Sequence, residues 1–294
     1  MVKKSYFKVR KCCPLCLSKN IEIIFSKTFN EIKTKQFFKK HLNSKFPMSI
    51  LNHNNYVICE CKKCKFIFQK NILNKKFNSK LYDDFIDHRK ILKRKNFDKE
   101  YLENNSQEFD LIDRIFKDKK ISILEYGAGL GGWISALKVS GYRNIDAVEI
   151  SQKRRNFLKK IKIKATPDLS NLKKKYDLIY SDQTFEHLIY PEKEIKRLIK
   201  LLKIGGYLIF KIPPGNNFKK KLRKNYTAQK DEATPLEHIN IYSLKSLDFI
   251  KERYKLSSVK YYRYYKIYEL NFIKNVLSFI YHKFSGKKLI LQKT

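Results

Sequence analysis

Paired thiols, a run of glycines and two histidines beside acids are the residues of this chain with chemistry to offer. Cys13 and Cys16 lie in "CCPLC", and Cys61 and Cys64 in "CECKKC". Each Cys-x-x-Cys pair can present two thiolates from one tight turn. Two such turns complete a tetrahedral zinc site with Zn–S near about 2.3 Å. In a reducing compartment that pairing favours a metal over disulfides. The 44 residues between the pairs exceed the commoner spacing, so an insertion lies between the knuckles. A site closed by four thiolates has no open position, so the expected zinc is structural. Cys12 and Cys59 are left over, each able to replace its neighbour as a ligand or to stay a free thiol.

The glycine run is "ILEYGAGLGGW", which holds four of the chain's nine glycines. It reads as a buried strand, a loop and a helix starting near Gly131. Gly127, Gly129 and Gly131 let the backbone approach a ligand, whose negative end is favoured by the free N–H groups of the helix start. "NIDAVEIS" follows as a second strand ending in Glu149, 22 residues beyond Gly127. A carboxylate at that strand tip can accept both hydroxyls of a ribose. Together the two features specify an adenosine-containing cofactor. Gly127, Gly129 and Gly132 also satisfy G-x-G-x-x-G, the nicotinamide dinucleotide pattern. Glu125 speaks against that option, because dinucleotide folds usually carry an apolar residue two positions before the first glycine. His187, in "FEHL", stands just beyond a further strand, at the end where open α/β sheets bind ligands. His238, in "PLEHINIYSL", lies in a later loop. His187 can act as a base on an acceptor, with Glu186 or His238 orienting it. Glu186 adjoins His187, and neighbours on a helix point in different directions.

The elements that must position these groups differ along the chain. Residues 1–75 hold all six cysteines and read as a zinc-ribbon-like domain. Residues 76–118 are charged and helical in pattern, with Phe109, Ile112, Ile115 and Phe116 at helical spacing, and read as a linker or substrate lid. From 119 to 294 short β-type runs ("ISILEYG", "NIDAVEI", "IKIKA", "YDLIYSD", "GYLIFKIP") alternate with helical segments. That alternation predicts an α/β fold with a mostly parallel sheet covered on both faces. "YSLKSLDFIKERY" predicts a helix, "LSSVKYYRYYKI" a strand and "KKLILQK" a closing strand. Between the last two, Leu270, Ile273, Leu277, Ile280 and Phe284 mark an apolar stripe over 270–284.

Taken in order, E-x-G-x-G-x-G at 125–131, Glu149, "FEHL" and "LLKIGGYLIF" resemble the class I S-adenosylmethionine-dependent methyltransferases. The match runs from Ile121 to about Pro214 and continues weakly beyond. The resemblance implies a Rossmann-like, mostly parallel seven-stranded sheet with helices on both faces. Its last two strands would pair antiparallel, leaving 270–284 as a helical insertion. Gly127, Gly129 and Gly131 would line the methionine and ribose part of S-adenosylmethionine, Glu125 would orient the loop or the cofactor amine, and Glu149 would hold the ribose diol. Asp168 matches the position that meets the adenine amino group, and a helix N-cap explains it equally. Asp182 matches a contact to the methionine moiety, and a turn-forming Asp explains it equally. With "CCPLC…CKKCKFIFQ…LYDDFID" ahead of it, the core looks like a subgroup associated with modification of sugars, as nucleotide sugars or on bacterial surface glycans. The subgroup usually has glycine after each knuckle, where this chain has Leu17 and Lys65.

Composition bounds the remaining choices. Apolar residues make up 43% of the 294, which excludes a disordered chain, and no apolar run reaches the length of a membrane span. The basic start lacks the apolar core of a signal peptide, so a cytoplasmic protein is expected. A net charge of +37 predicts attraction to nucleic acid, anionic lipid or phosphorylated substrates, yet the lysines are spread evenly, as a compositional bias would leave them. Three readings follow: a methyltransferase acting on a sugar or glycan precursor, the same core acting on RNA, and a non-catalytic cofactor-binding module. The aromatic nucleic-acid motifs that RNA would call for are missing. The stripe at 270–284, flanked by lysines and tyrosines, could lie on an anionic membrane surface or pack against the core or a second subunit.

Overall fold

The computed structural model describes residues 6–86, 108–223, 225–258 and 287–293. The proposed insertion at 270–284 and most of the linker, 87–107, lie outside the described residues.

The N-terminal part is built from short antiparallel strands. β1 (Phe7–Val9) pairs with β5 (Asn71–Leu73), and β2 (Ile21–Thr28), β3 (Asn55–Cys61) and β4 (Ile67–Gln69) form a meander. The insertion between the knuckles holds β2, helix α1 (Ile32–His41) and most of β3. Helix α2 (Lys75–Lys80) starts at Asn74, whose side chain accepts the Phe77 N–H, and runs into a π turn at Leu81–Phe85. A further helix, α3, covers 108–115 and buries Phe109 and Ile112, as their spacing predicts.

The C-terminal part is a seven-stranded sheet. Its strands are β6 (Ile123–Tyr126), β7 (Ile145–Val148), β8 (Ala165–Thr166), β9 (Tyr176–Asp182), β10 (Leu202–Ile212), β12 (Leu256–Ser258) and β13 (Lys287–Lys293). Their order is β12-β13-β10-β9-β6-β7-β8, with β13 antiparallel to both of its neighbours and the other pairings parallel. This is the Rossmann-like class I arrangement. Helices α4 (Gly132–Val139), α5 (Gln152–Lys160), α6 (Pro191–Leu201), α7 (Phe218–Leu222) and α8 (Leu244–Tyr254) complete it. One face packs under α4, where Trp133 stacks on Tyr180 of β9 with ring centroids 3.8 Å apart. The expected strand "IKIKA" shrinks to two paired residues, because Lys162 takes a left-handed turn first.

The two parts share structure. β11 (Asn240–Ile241) leaves the C-terminal chain and pairs antiparallel with β4, extending the N-terminal meander. The thiol-bearing residues Cys13, Cys61 and Cys64 lie in one buried cluster with Ile195 and Leu198 of α6, Phe210 of β10 and Tyr242.

Candidate functional site

The four paired cysteines converge as their spacing predicts. The Cys13 and Cys64 sulfurs are 3.6 Å apart, those of Cys16 and Cys61 3.4 Å, and all four lie within 4.8 Å of one another. Four sulfurs about 2.3 Å from one tetrahedral ion stand about 3.8 Å apart, so the set fits zinc. Cys12 and Cys59 fall outside this group. The knuckles share one geometry. Cys13 N–H donates to Ser18 O and Leu17 N–H to Cys13 O; Cys61 N–H donates to Phe66 O and Lys65 N–H to Cys61 O, all at 2.8–2.9 Å. Leu17 (φ 64°) and Lys65 (φ 55°) are left-handed. The turn therefore asks for glycine at the two places where this chain departs from it.

The glycine loop closes between β6 and α4, beside the point where the strand order reverses, which is where open α/β sheets place ligands. Val148 O of β7 accepts the N–H groups of both Gly127 and Ala128. A side-chain carbon at Gly127 would stand 2.1 Å from Thr184 Oγ1, and one at Gly131 2.5 Å from Leu158. Those two glycines serve the closeness of protein to protein. At Gly129 a side chain would meet nothing within 4 Å among the described residues, so open space fronts the loop there. Glu149, 3% exposed, accepts the Gly129 N–H on one oxygen (2.8 Å) and the Ser151 N–H on the other (2.7 Å), with Arg154 3.8 Å away. Glu125 is buried, and its Oε2 has no hydrogen-bond partner among the described residues. Burial, with Asp182 nearby, pushes its carboxyl well above the usual range. An orphaned carboxylate oxygen, open space over Gly129 and a carboxylate at the second strand tip fit an adenosylated amino acid.

The other expected residues are placed as follows. Asp182 ends β9 and pairs with Lys211 (3.1 Å), which also reaches Glu108. Asp168 is exposed and closes a local turn by accepting the Ser170 N–H at 2.7 Å. No helix follows it, so the N-cap option falls and an Asx turn replaces it.

Beyond β9 the turn Phe185–His187 brings Glu186 and His187 together with His238, three groups whose ligand atoms all lie within 4.8 Å of one another. Glu186 and His187 are sequence neighbours, and the tight turn, unlike a regular helix, lets His187 Nε2 come 4.0 Å from Glu186 Oε1. His187 Nδ1 donates to Glu237 O at 2.8 Å, and His238 Nδ1 to Asp231 O. A carbonyl can only accept, so both rings carry the proton on Nδ1 and turn Nε2 away from the backbone. Burial pulls His187 down to about 4 and pushes Glu186 up to about 8, so at neutral pH the imidazole is a weak base and the carboxyl the better matched one.

The N-terminal part holds this corner, and sequence reasoning missed it. Gln69, buried in β4, accepts the Leu236 N–H (3.0 Å) and donates to Thr234 O (3.0 Å) and His238 O (2.9 Å). Buried Arg10 donates to Ile239 O, Asn240 Oδ1, Leu188 O and Ile189 O at 2.9–3.1 Å. The Asn240 amide in turn donates to Phe185 O and Leu188 O, fixing the Glu186 turn. The π turn adds a cover: the Ser151 hydroxyl donates to Asp83, Lys153 pairs with Asp84 at 2.8 Å, and the Tyr82 ring packs 5.6 Å from that of His187. Burial raises the Tyr82 phenol, with Glu237, Glu186 and Glu149 among its charged neighbours. A π turn is the one local hint the fold gives here.

A family model described as a methyltransferase domain matches residues 94–259, more than half of the chain. The chain belongs to this methyltransferase family. The plantazolicin methyltransferase BpumL, solved with a pentazolic desmethylPZN analog and SAH, is 14% identical, with a TM-score of 0.50 over 74% of this methyltransferase and 95% of that chain. A S-adenosylmethionine-dependent methyltransferase from Clostridium acetobutylicum is 14% identical, with a TM-score of 0.44 over 70% and 96%. TehB from Haemophilus influenzae is 17% identical, with a TM-score of 0.43 over 63% and 62%. The likeness to BpumL is one of fold. No curated protein matches the sequence at a significant level. Among the described residues, no helix of this methyltransferase is long and apolar enough to cross a membrane.

Proposed function

We propose that the protein transfers a methyl group from S-adenosylmethionine to a sugar, either a nucleotide sugar or a surface-glycan precursor. The observation that carries the donor assignment is Glu149. It is buried at the second strand tip and tied to the Gly129 N–H across the open space of the loop. The donor supplies an electrophilic methyl on a sulfonium. Glu149 takes the ribose hydroxyls, Gly127, Gly129 and Gly131 shape the floor, and Glu125 meets the donor's ammonium group, which would draw its proton off. Asp182 and Asp168 stand at the methionine and adenine ends. The protein's main contribution is to fix donor and acceptor in line.

On the acceptor side, Glu186, His187 and His238 are the groups able to relieve a hydroxyl of its proton. The zinc held by Cys13, Cys16, Cys61 and Cys64 is structural, and through Gln69 and Arg10 the ribbon carries the loop with His238. The sugar reading rests on the subgroup resemblance and on this polar acceptor corner. The proposal puts the enzyme in the cytoplasm, where thiols stay reduced, with residues 270–284 touching the inner face of the membrane.

Calorimetry with S-adenosylmethionine, SAH and NAD tests the donor: heat with the first two and none with NAD is expected. Labelled methyl transfer to a panel of nucleotide sugars and to total RNA tests the acceptor. A ribonuclease-sensitive product would replace the sugar by RNA, the partner the net charge favours.

A further inference from the structure

Glu186 is 1% exposed, and neither of its carboxyl oxygens has a hydrogen-bond partner among the described residues. Buried carboxylates are ordinarily satisfied by donors, a cation or water. The Glu186 ligand atom lies within 4.8 Å of those of His187 and His238, and His187 Nε2, which carries a lone pair because its ring spends its proton on a backbone carbonyl, stands 4.0 Å from Glu186 Oε1. Three groups able to ligate a cation are thus gathered in one buried corner.

We infer that Glu186, His187 and His238 bind a divalent first-row transition-metal ion. Two imidazoles and one carboxylate are the donor set that suits such ions. Each ring is oriented by an Nδ1–H bond to a carbonyl, the outer contact that fixes metal-binding histidines. Metal–nitrogen and metal–oxygen bonds of about 2.0–2.2 Å hold ligands about 3 Å apart, so the three side chains close by about 1 Å around the ion. The frame for that closure is built: Asn240 pins the turn that carries Glu186 and His187, and Gln69 pins the loop that carries His238.

Three protein ligands leave open positions, the mark of a site that handles substrate rather than structure. Resting on the methyltransferase reading, the ion's role is to take an acceptor hydroxyl, with a neighbouring oxygen in a second open position. The bound hydroxyl loses its proton to solvent more readily, as metal-bound water does. Its oxygen then bonds the methyl carbon, and the carbon–sulfur electron pair stays on sulfur. The acceptor class is therefore a molecule presenting adjacent oxygens, such as a vicinal diol. The depressed basicity of His187 is no obstacle in this arrangement, because the imidazole serves as a ligand.

The test is a Co(II) titration of the full chain with its thiolate site filled by zinc, followed by optical absorption. Nitrogen–oxygen ligation gives weak visible bands, while cobalt on the cysteines adds intense sulfur charge-transfer bands. One equivalent taken up without thiolate bands is expected, with affinity at least about tenfold weaker in both Glu186→Gln and His238→Ala. SAH calorimetry on the same variants should be unchanged, showing that both are folded. Cobalt appearing only with thiolate bands, or binding untouched in both variants, overturns the proposal. Failure of the native chain to bind SAH would instead defeat the methyltransferase reading and leave the cobalt result standing.

Discussion

Replacing Glu149 by glutamine isolates the contact on which the proposed donor binding turns. A carboxylate offers about four lone-pair sites on its two oxygens. Two are occupied by the N–H groups of Gly129 and Ser151, one on each oxygen, which leaves one on each for the two ribose hydroxyls. Glutamine keeps a single oxygen. In either orientation its amide nitrogen faces one backbone N–H, donor against donor, and its one oxygen can accept from only one hydroxyl. One charge-assisted bond to the ribose is lost, worth about 1.5–3 kcal/mol, which is roughly a 10- to 150-fold rise in Kd. Calorimetry with SAH measures it, with the melting temperature as the check on folding. A second arm uses SAH lacking one ribose hydroxyl: wild type should lose affinity for it, and Glu149→Gln should lose much less, the signature of a coupled pair. Binding of SAH within about threefold of wild type by a folded Glu149→Gln protein would refute the ribose assignment.

Four further outcomes follow from the same geometry. Arg10→Ala removes four hydrogen bonds between the N-terminal part and the Leu188 and Ile239 regions, and should cost about 3 kcal/mol, a drop of roughly 6–12 °C in melting temperature; Arg10→Lys, which cannot fork, should recover only part. Glu125 binds a proton in the folded state that the unfolded chain releases near 4.5, so its contribution to stability falls as pH rises above that value. Denaturation of the donor-free protein between about pH 5 and 8 should show this decline in wild type and a shallower one in Glu125→Gln. Leu17→Gly relieves a left-handed residue that is 57% exposed and should stabilise by up to about 1 kcal/mol, read as a raised melting temperature; a lowered one would contradict the knuckle geometry. Chelation of zinc should lower the melting temperature and abolish turnover before SAH binding is lost, because the thiolates support the acceptor loop through β4, while the glycine loop is held by β7.

The groups legible in the sequence are those whose partners are near in the chain or whose spacing is itself the signal. The cysteine knuckles, the strand–loop–helix at 123–139 and the acidic tip at Glu149 are of this kind. The Asp168 turn was half legible: the residue type marks a local hydrogen bond, and the chain's failure to continue as a helix is decided elsewhere. Gly127 and Gly131 read as a ligand surface, and the structure adds protein contacts to Thr184 and Leu158, residues tens of positions away. Gln69 and Arg10 were invisible for the same reason. A glutamine in "FIFQK" carries no pattern, and its partners lie about 165–169 residues on. The pairing of β4 with a two-residue strand is likewise too short to leave any periodicity.

Under the proposed zinc site, the sharing of one antiparallel meander between the two parts of the chain would tie metal supply to chemistry. An enzyme produced under zinc starvation would still recognise its nucleoside and yet stand idle, a failure easily mistaken for a damaged donor pocket. Evolutionary exchange of one ribbon for another would have to carry its glutamine and arginine along, so acceptor preference and the thiolate module are inherited together.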